Sequence, residues 1–178
     1  MKEVRPTSGR VLLALFSILD SMRSGSFGLE GVAFLDLFSG TGRVGLDALS
    51  RGASSVVMVE TLKDRSRRIE EAIPPEYKGN ATILSLEFRR ALAWLVKREQ
   101  IFDIVFADPP YNEGWGASLL QEKNLRKVVA RDGIMVVEHA SREALVVSEH
   151  WIVKEARPYG ETTLTFLSPG TAEMEGTP

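Results

Sequence analysis

Short apolar runs alternate with helical segments along most of this chain of 178 residues. Near-continuous apolar character is typical of strands in parallel sheets that helices cover on both faces. Connections of this length between strands favour a doubly wound α/β fold with a mostly parallel sheet. The predicted strands of this part of the chain are residues 32–37, 55–60, 81–84, 102–107 and 133–138.

Apolar residues at helical spacing predict the helices that separate these strands. One helix follows a glycine-rich turn after the first strand, and others cover residues 63–73, 88–96 and 115–130. A further helix is predicted before the first strand, where apolar residues from Val11 to Leu19 recur at helical spacing. The chain is therefore expected to begin with a helix that lies outside the strand–helix alternation.

The end of the chain has a different pattern. Residues 151–154 and 162–166 flank a Pro-Tyr-Gly break, which indicates an antiparallel hairpin. The two hairpin strands bring the expected sheet to seven strands. We expect one domain over residues 1–168, of which residues 1–30 form an N-terminal helical segment, and a flexible tail over residues 169–178.

Composition excludes several kinds of site. The chain has no cysteine, so disulfides, thiolate catalysis and cysteine-ligated metals are excluded, and its two histidines predict no histidine-rich metal site. No apolar run approaches the ~20 residues of a membrane span, and the N-terminus lacks a signal-peptide pattern. We therefore expect a cytoplasmic protein with neither a metal nor a membrane partner, and we expect a monomer.

The net charge of −2 means that a nucleic-acid partner would need a local basic patch. Arg5 and Arg10 flank a proline ahead of the first helix and are candidate contacts. A second basic group, over residues 63–68, has a simpler interpretation as the solvated face of a helix.

A glycine-rich turn between Asp36 and Gly45 indicates a cofactor site. Glycines let a backbone approach a ligand closely, and the start of the following helix offers free N–H groups. The spacing Gly40-x-Gly42-x-x-Gly45 is shared by NAD and other adenosine cofactors. Asp36 distinguishes them, because a carboxylate would repel a pyrophosphate but suits an amino group and a sulfonium. S-adenosylmethionine carries both, and Glu60 after the second strand could accept hydrogen bonds from its ribose hydroxyls.

Asp108, two prolines and Tyr111 directly follow the fourth predicted strand. In open α/β sheets, ligands bind at the carboxyl edge where such a segment lies. The prolines fix the backbone and remove two N–H donors, so the carbonyl acceptors are held in place. Rigid acceptors beside an aromatic ring suit a flat heterocycle with an amino group. This motif therefore indicates chemistry on a nucleobase.

With both motifs, the chain resembles the class I S-adenosylmethionine-dependent methyltransferases that methylate amino groups. More narrowly, it is similar to the bacterial 16S rRNA guanine-N2 methyltransferases. The matching segments occur in the family's order, and the chain departs from the family pattern at Gly9 and Leu12-Leu13. The segments are Arg-Pro-Thr at residues 5–7, the cofactor motif and its helix over 35–53, Asp-Pro-Pro-Tyr at 108–111 and Tyr-Gly-Glu-Thr at 159–162.

The resemblance implies methylation of the N2 amino group of a guanine in 16S rRNA, with the RNA or the small ribosomal subunit as partner. It places Glu87 near the adenine of the cofactor, although an acid in the first turn of a helix also favours the helix dipole. The implied catalytic residues are Asp108, Pro109, Pro110 and Tyr111. The implied cofactor contacts are Asp36, Phe38, Ser39, Gly40, Thr41, Gly42, Gly45, Glu60 and Glu87. The implied substrate contacts are Arg5 and Arg10. Trp115 follows the catalytic turn, where it could border the substrate pocket or serve as a core residue at the start of a helix.

Other interpretations stay open at this point. An amino-methyltransferase of this kind could act on adenine or cytosine in DNA, or on a protein glutamine. The chain lacks room for a separate target-recognition domain, which favours a structured substrate such as a ribosomal particle. A non-catalytic module that keeps the cofactor pocket is the alternative from another class, and the departures at Gly9 and Leu12-Leu13 favour it. A dehydrogenase would need to bind NAD, which Asp36 opposes.

Overall fold

The structure, a computed structural model, describes residues 9–23, 28–110 and 118–170. Its strands are β1 (Ala33–Asp36), β2 (Ser55–Val59), β3 (Ala81–Leu84), β4 (Phe102–Ala107), β5 (Val129–Ala140), β6 (Trp151–Tyr159) and β7 (Thr162–Pro169). The helices in these ranges are α1 (Gly9–Met22), α2 (Arg43–Ser50), α3 (Lys63–Ala72), α4 (Phe88–Lys97), α5 (Lys123–Val128) and a 3-10 helix (Pro75–Asn80). None of these described helices is long and apolar enough to cross a membrane.

The seven strands form one sheet in the order β3-β2-β1-β4-β5-β7-β6. The pairs from β3 to β5 are parallel, and β7 is antiparallel to both β5 and β6. The prediction of a doubly wound, mostly parallel sheet with a C-terminal antiparallel hairpin is confirmed. Because β2 lies on one side of β1 and β4 on the other, the strand order reverses between β1 and β4. Open α/β sheets bind their ligands at such a reversal.

The N-terminal helix is part of the core. α1 packs on one face of the sheet, which we call the α1 face, through the fully buried side chains of Leu15, Phe16 and Leu19. The ring of Phe16 lies 6.3 Å from the ring of Phe34 in β1. Each large apolar side chain buried in this way stabilises the fold by about 1.5–3 kcal/mol. α4 and α5 contribute to the apolar layer on the opposite face.

The prediction of one helix over residues 115–130 is wrong. In the described part of this region, α5 covers only six residues, and β5 begins at Val129, which pairs with Phe102 of β4. Glu122 marks the start of α5, since its side chain accepts a hydrogen bond from the backbone N–H of Asn124 at 3.3 Å. Pairing with β4 therefore outweighs the helical spacing of the apolar residues beyond α5.

β5 begins earlier than the predicted strand over residues 133–138 and includes an Asp-Gly pair at residues 132–133. Phe102 pairs with Val129, but Ile104 pairs with Ile134, so β5 carries extra residues at this point. An irregularity of this kind lets a strand keep its pairing on both sides of the extra residues. The polar Asp-Gly pair thus interrupts the pairing between β4 and β5 without ending β5.

The hairpin is longer than the sequence predicts. β6 and β7 meet at a tight turn in which Gly160 has a φ of 66°, a conformation that glycine adopts readily. β7 runs to Pro169, and the N–H of Gly170 donates to the His150 carbonyl at 2.7 Å. The first two residues of the expected tail thus contact the hairpin, and the rest, residues 171–178, lie outside the described ranges.

Candidate active site at the carboxyl edge of the sheet

Four acidic residues lie at the carboxyl ends of four neighbouring strands. Asp36 ends β1, Glu60 follows β2, Asp108 follows β4 and Glu138 lies near the end of β5. Three are buried, with 1% of Asp36, 8% of Glu60 and 4% of Glu138 exposed, and Asp108 is partly exposed. Because these strands are adjacent, the acids form one cluster at the reversal of strand order.

The acids of β1, β2 and β4 point to the α1 face. Asp36 is level in register with Met58 of β2 and Phe106 of β4, and both belong to the apolar layer under α1. Side chains alternate along a strand, so Glu60 and Asp108, each two residues further on, continue on this face. Asp36 interacts electrostatically with both Glu60 and Asp108, in agreement with this placement.

Asp36 is tied to the glycine turn by one of its two oxygens. Its Oδ2 accepts a hydrogen bond from the N–H of Gly45 at 3.3 Å. Its Oδ1 is buried and has no hydrogen-bond partner among the described residues. Burial, together with the charge of Glu60, raises the pKa of Asp36 to about 7, and the hydrogen bond from Gly45 acts against this rise. A buried oxygen without a donor is a position where a ligand donor would be accepted.

The glycines of the turn are required by its shape. Gly40 and Gly42 have φ values of 55° and 78°, in the left-handed region. A Cβ at Gly42 would lie 2.8 Å from the Cγ2 of Ile69 in α3, and a Cβ at Gly45 would lie 2.5 Å from the Sδ of Met58. α2 therefore approaches β2 more closely than any larger residue would allow.

Backbone hydrogen bonds hold the turn over the sheet. The N–H of Leu37 donates to a β4 carbonyl at 2.9 Å, and the N–H of Ser39 donates to the Val59 carbonyl at 2.9 Å. The hydroxyl of Ser39 donates to the Asp36 carbonyl at 3.0 Å, while Thr41 is exposed at the tip. The turn thus bridges β2 and β4, the two strands that flank β1.

Glu60 lies on the β2 side of Asp36. Its Oε1 accepts a hydrogen bond from the N–H of Leu62 at 2.8 Å, just before α3. The hydroxyl of Ser66 donates to the Glu60 carbonyl at 3.1 Å. The start of α3 thereby fixes the position of Glu60 beside the glycine turn.

Glu87 caps α4, as the dipole interpretation of this acid suggested. Its Oε2 accepts hydrogen bonds from the N–H groups of Arg89 and Arg90 at 3.0 and 3.4 Å. The ring of Phe38, from the glycine turn, packs against Phe88 with their centroids 5.2 Å apart. The start of α4 is thus joined to the turn, and contacts of Glu87 and Phe38 with a cofactor stay predictions.

Asp108 lies one strand away from Asp36. Burial raises the pKa of Asp108 to about 8, and the charges of Glu138 and Asp36 contribute to this rise. Pro109 is buried and Pro110 is exposed. The fourth residue of the motif, Tyr111, lies outside the described residues.

The predicted substrate contacts are only partly described. Arg5 and Trp115 lie outside the described residues, and Arg10 is exposed in the first turn of α1. A Cβ built at Gly9 would lie 3.4 Å from a guanidinium nitrogen of Arg43, the first residue of α2. The start of α1 therefore lies beside the helix that follows the glycine turn, close to the acidic cluster.

Glu138 is the member of the cluster to which the sequence analysis gave no function. It follows a run of buried apolar residues in β5, just as Glu60 follows such a run in β2. That shared pattern was the signal that could have identified it. Its neighbour His139 has a structural environment, since its Nε2 lies 2.9 Å from the Thr165 hydroxyl and its Nδ1 lies 3.1 Å from the Ala140 carbonyl.

This edge of the sheet fits S-adenosylmethionine. The unpartnered Oδ1 of Asp36 and the carboxylates around it favour a cationic ligand with donor groups. The glycine turn gives that ligand close access to the backbone. The residues that would hold the cofactor are Asp36, Glu60 and the glycine turn.

Comparison with known proteins identifies the family. The family model described as "Conserved hypothetical protein 95" matches residues 1–168. The chain belongs to this family. Its relatives and structural neighbours confirm the prediction of a class I methyltransferase that uses S-adenosylmethionine, at the level of family and fold.

Curated relatives are similar over most of the chain. The "Putative rRNA methyltransferase YlbH" of Bacillus subtilis is 31% identical over 136 residues, which is 76% of this chain and 71% of that protein. The "Ribosomal RNA small subunit methyltransferase D" of Escherichia coli K12 is 26% identical over 159 residues, which is 89% of this chain and 76% of that protein.

Solved structures agree with the fold. A hypothetical protein of Thermus thermophilus is similar with a TM-score of 0.76 and 28% identity, over 94% of this chain and 90% of that one. A putative methyltransferase of Escherichia coli has a TM-score of 0.74 and 25% identity, over 95% and 89% of the two chains. A further structural neighbour, at 12% identity and a TM-score of 0.67 over 85% and 48% of the two chains, is a putative methyltransferase complexed with SAH.

Proposed function

We propose that this protein methylates the N2 amino group of a guanine in 16S rRNA, with the RNA or the small ribosomal subunit as its partner. We place this activity in the cytoplasm. The observation that carries the proposal is the position of Asp108, which lies one strand from Asp36 at the same edge of the sheet. The names of the relatives, which are rRNA methyltransferases, support an RNA substrate.

The acceptor nitrogen has to be activated by hydrogen bonds from the substrate to the protein. The lone pair of an exocyclic amino group is delocalised into the base, so the nitrogen is a poor nucleophile. Hydrogen bonds from its two protons to the Asp108 carboxylate and the Pro109 carbonyl favour a more tetrahedral nitrogen. We propose that Tyr111 stacks on the base after the base leaves its helix or loop. Most of the rate enhancement then comes from positioning the reacting atoms.

Held by Asp36, Glu60 and the glycine turn, S-adenosylmethionine would supply the methyl group for N2. The electron pair of the broken carbon–sulfur bond would stay on sulfur, and the nitrogen would release one proton. Asp108 is suited to receive that proton. A pKa near 8 keeps it largely protonated at neutral pH when no cation is nearby, and a neighbouring positive charge favours its carboxylate form. A carboxylate with a pKa close to the working pH is an effective general base.

The same proposal assigns an RNA-binding function to the start of the chain. Arg10 is exposed in the first turn of α1. Its neighbour Gly9 lies close to the guanidinium of Arg43, which begins the helix after the glycine turn. We propose that Arg10, with Arg5 and Trp115, contacts the rRNA around the flipped base. Phosphate contacts of this kind position a nucleic acid without selecting its sequence.

The test is methyl transfer from labelled S-adenosylmethionine to small ribosomal subunits that lack the modification. We expect label in the 16S rRNA, recovered as N2-methylguanine. Asp108→Asn should reduce the rate by ~100-fold or more because it removes the carboxylate. Asp103→Asn is the matched control, since Asp103 lies near the opposite end of the same strand, where it accepts a hydrogen bond from the Ala33 N–H at 2.8 Å.

Duplex DNA and mixed proteins serve as comparison acceptors. Label in either one, with none in the rRNA, would contradict the proposal and indicate the corresponding alternative acceptor. Measurable cofactor binding without label in any acceptor would contradict it as well, and would indicate a binding module.

A further inference from the structure

Glu138 lies beside Asp108 in the sheet. Ala107 of β4 pairs in register with Val137 of β5, and Asp108 and Glu138 are the next residues of these parallel strands. Neighbouring strands are about 4.8 Å apart, and residues at the same level of a parallel pair point to the same face. Val136, two residues before Glu138, belongs to the layer under α1, so the Glu138 side chain lies on the α1 face with Asp108.

The order of the acids across the sheet separates a cofactor side from a substrate side. From β2 to β5 the acids are Glu60, Asp36, Asp108 and Glu138. The first two flank the glycine turn, whereas Glu138 lies on the far side of Asp108. Beyond it, β7 presents Leu164, which is paired with Glu138 and fully buried. Among the four acids at the carboxyl ends of β2, β1, β4 and β5, Glu138 is thus the one furthest toward the side where the base would lie.

The backbone of Glu138 is paired with β7, as part of a ladder that runs from Met135 to Ala140. On the other side of β5, the pairing with β4 ends at Val137, one residue before Glu138. A group placed on a central strand keeps its position better than a group on a loop. A central strand therefore suits a side chain that has to contact one specific atom of a base.

A buried acid beside a partly exposed one is costly when both are charged, unless donors reach them. The charge of Glu138 is one of the causes that raise the pKa of Asp108. The unpartnered Oδ1 of Asp36 shows independently that this cluster leaves acceptors for a ligand. A ligand with two adjacent donors would relieve the repulsion between Asp108 and Glu138.

Guanine carries such a pair of donors, because its N1–H stands next to its N2 amino group. Adenine and cytosine also have an amino group, but the ring nitrogen beside it is an unprotonated acceptor that a carboxylate would repel. We propose that Glu138 accepts the N1–H of the target guanine while Asp108 binds the N2 amino group, so that Glu138 determines the specificity for guanine. This inference rests on the proposed function.

The test compares two RNA substrates once the target nucleotide has been mapped by N2-methylguanine detection. One is the natural rRNA, and the other carries 2-aminopurine at the target, which keeps the 2-amino group but has no N1–H. RNA affinity is measured in the presence of S-adenosylhomocysteine, and methyl transfer is measured separately. The wild type should prefer guanine over 2-aminopurine by ~100-fold or more in transfer, since a site that expects a donor rejects an analogue without it.

Glu138→Gln should narrow this preference to ~10-fold or less, because an amide can donate to the N1 of 2-aminopurine. The loss of O6 in 2-aminopurine affects wild type and variant alike, so the change in preference reports on N1 alone. Glu138→Asp keeps the carboxylate and should keep the preference, at a lower rate. Glu71→Gln is the matched control, since Glu71 is exposed in the last turn of α3, where it pairs with Arg67 at 3.4 Å, and it should match the wild type.

A wild type that uses both substrates equally would overturn the inference, and this measurement needs no variant. Equal losses on both substrates in Glu138→Gln, with the preference unchanged, would overturn it too. In either case the wild type would still form N2-methylguanine, so the proposed function would stand. Failure of the wild type to form N2-methylguanine in any rRNA would instead overturn the proposed function.

Discussion

The cofactor side and the substrate side of the acidic cluster are built differently. On the cofactor side, Asp36 receives a hydrogen bond from Gly45 and Glu60 receives one from Leu62, so the fold itself supplies donors. On the substrate side, the pKa of Asp108 is raised by burial and by two neighbouring charges. The backbone therefore positions the acids of the proposed cofactor side, although burial and Glu60 raise the pKa of Asp36 as well. A bound ligand would compensate charge on both sides.

The sharpest test of this difference compares Asp36→Asn with Asp108→Asn. Asp36→Asn should weaken S-adenosylmethionine binding by ~100-fold, since it removes the charge that faces a cationic ligand. Asp108→Asn should change that affinity only a few-fold but lower turnover by about 1,000-fold. Calorimetry gives the affinities, and single-turnover methyl transfer gives the rates. If both variants lost cofactor binding equally, the separation into two sides would be wrong.

The pH dependence of stability should reveal the uncompensated acids. The folded protein raises the pKa of Asp36 from 3.8 to about 7 and that of Asp108 from 3.8 to about 8. The folded state therefore binds protons that the unfolded chain releases, and the free energy of unfolding should fall as the pH rises from about 4 to about 8. For Asp36 the loss is at most on the order of 4 kcal/mol, complete above its folded pKa.

Urea unfolding at pH 5, 7 and 9, without cofactor, measures this trend. Asp36→Asn should flatten the profile and should be more stable than the wild type at pH 9, because it has no buried charge to create. A stability that rises from pH 5 to pH 9 would contradict both raised pKa values. Added S-adenosylmethionine should restore most stability at high pH, where both acids are ionised.

A smaller effect is expected at the glycine turn. Gly45→Ala places a Cβ where the Met58 side chain lies, 2.5 Å away, and should destabilise the protein by about 1–3 kcal/mol as well as weaken cofactor binding. Gly79→Ala is the matched control, because a Cβ there meets nothing within 4 Å. Thermal unfolding and calorimetry measure both effects. A Gly45→Ala variant as stable as Gly79→Ala would show that α2 can move away from β2.

The features that the sequence predicts well are local. The glycine turn and the acid before it are contiguous, so their chemistry is visible in ten residues, from Asp36 to Gly45. The first five strands are predictable because their apolar runs are short and are bounded by clear breaks. The apolar spacing predicts the N-terminal helix, and Leu12, which departs from the family pattern, is buried in the core while Leu13 is 66% exposed.

The features that the sequence misses depend on distant pairing. The helical spacing of apolar residues ends at Val129, because Val129 pairs with Phe102 of β4 and begins a strand. No local sequence pattern indicates this pairing. Glu138 acquires its position beside Asp108 only because β5 lies next to β4 in the sheet. The resemblance predicts that Glu87 lies near the adenine of the cofactor. In the structure Glu87 caps α4, and this role depends only on its position at the start of the helix.

The position of β7 has a consequence for synthesis of the chain. β7 lies between β5 and β6, although it is the last strand to be made. Until residues 162–169 have left the ribosome, one edge of β5 has no partner, and an open edge of that kind is prone to pair with other chains. The nascent protein thus completes the edge of the sheet beside Glu138 only after β7 has been made, well after the strands that carry the other three acids.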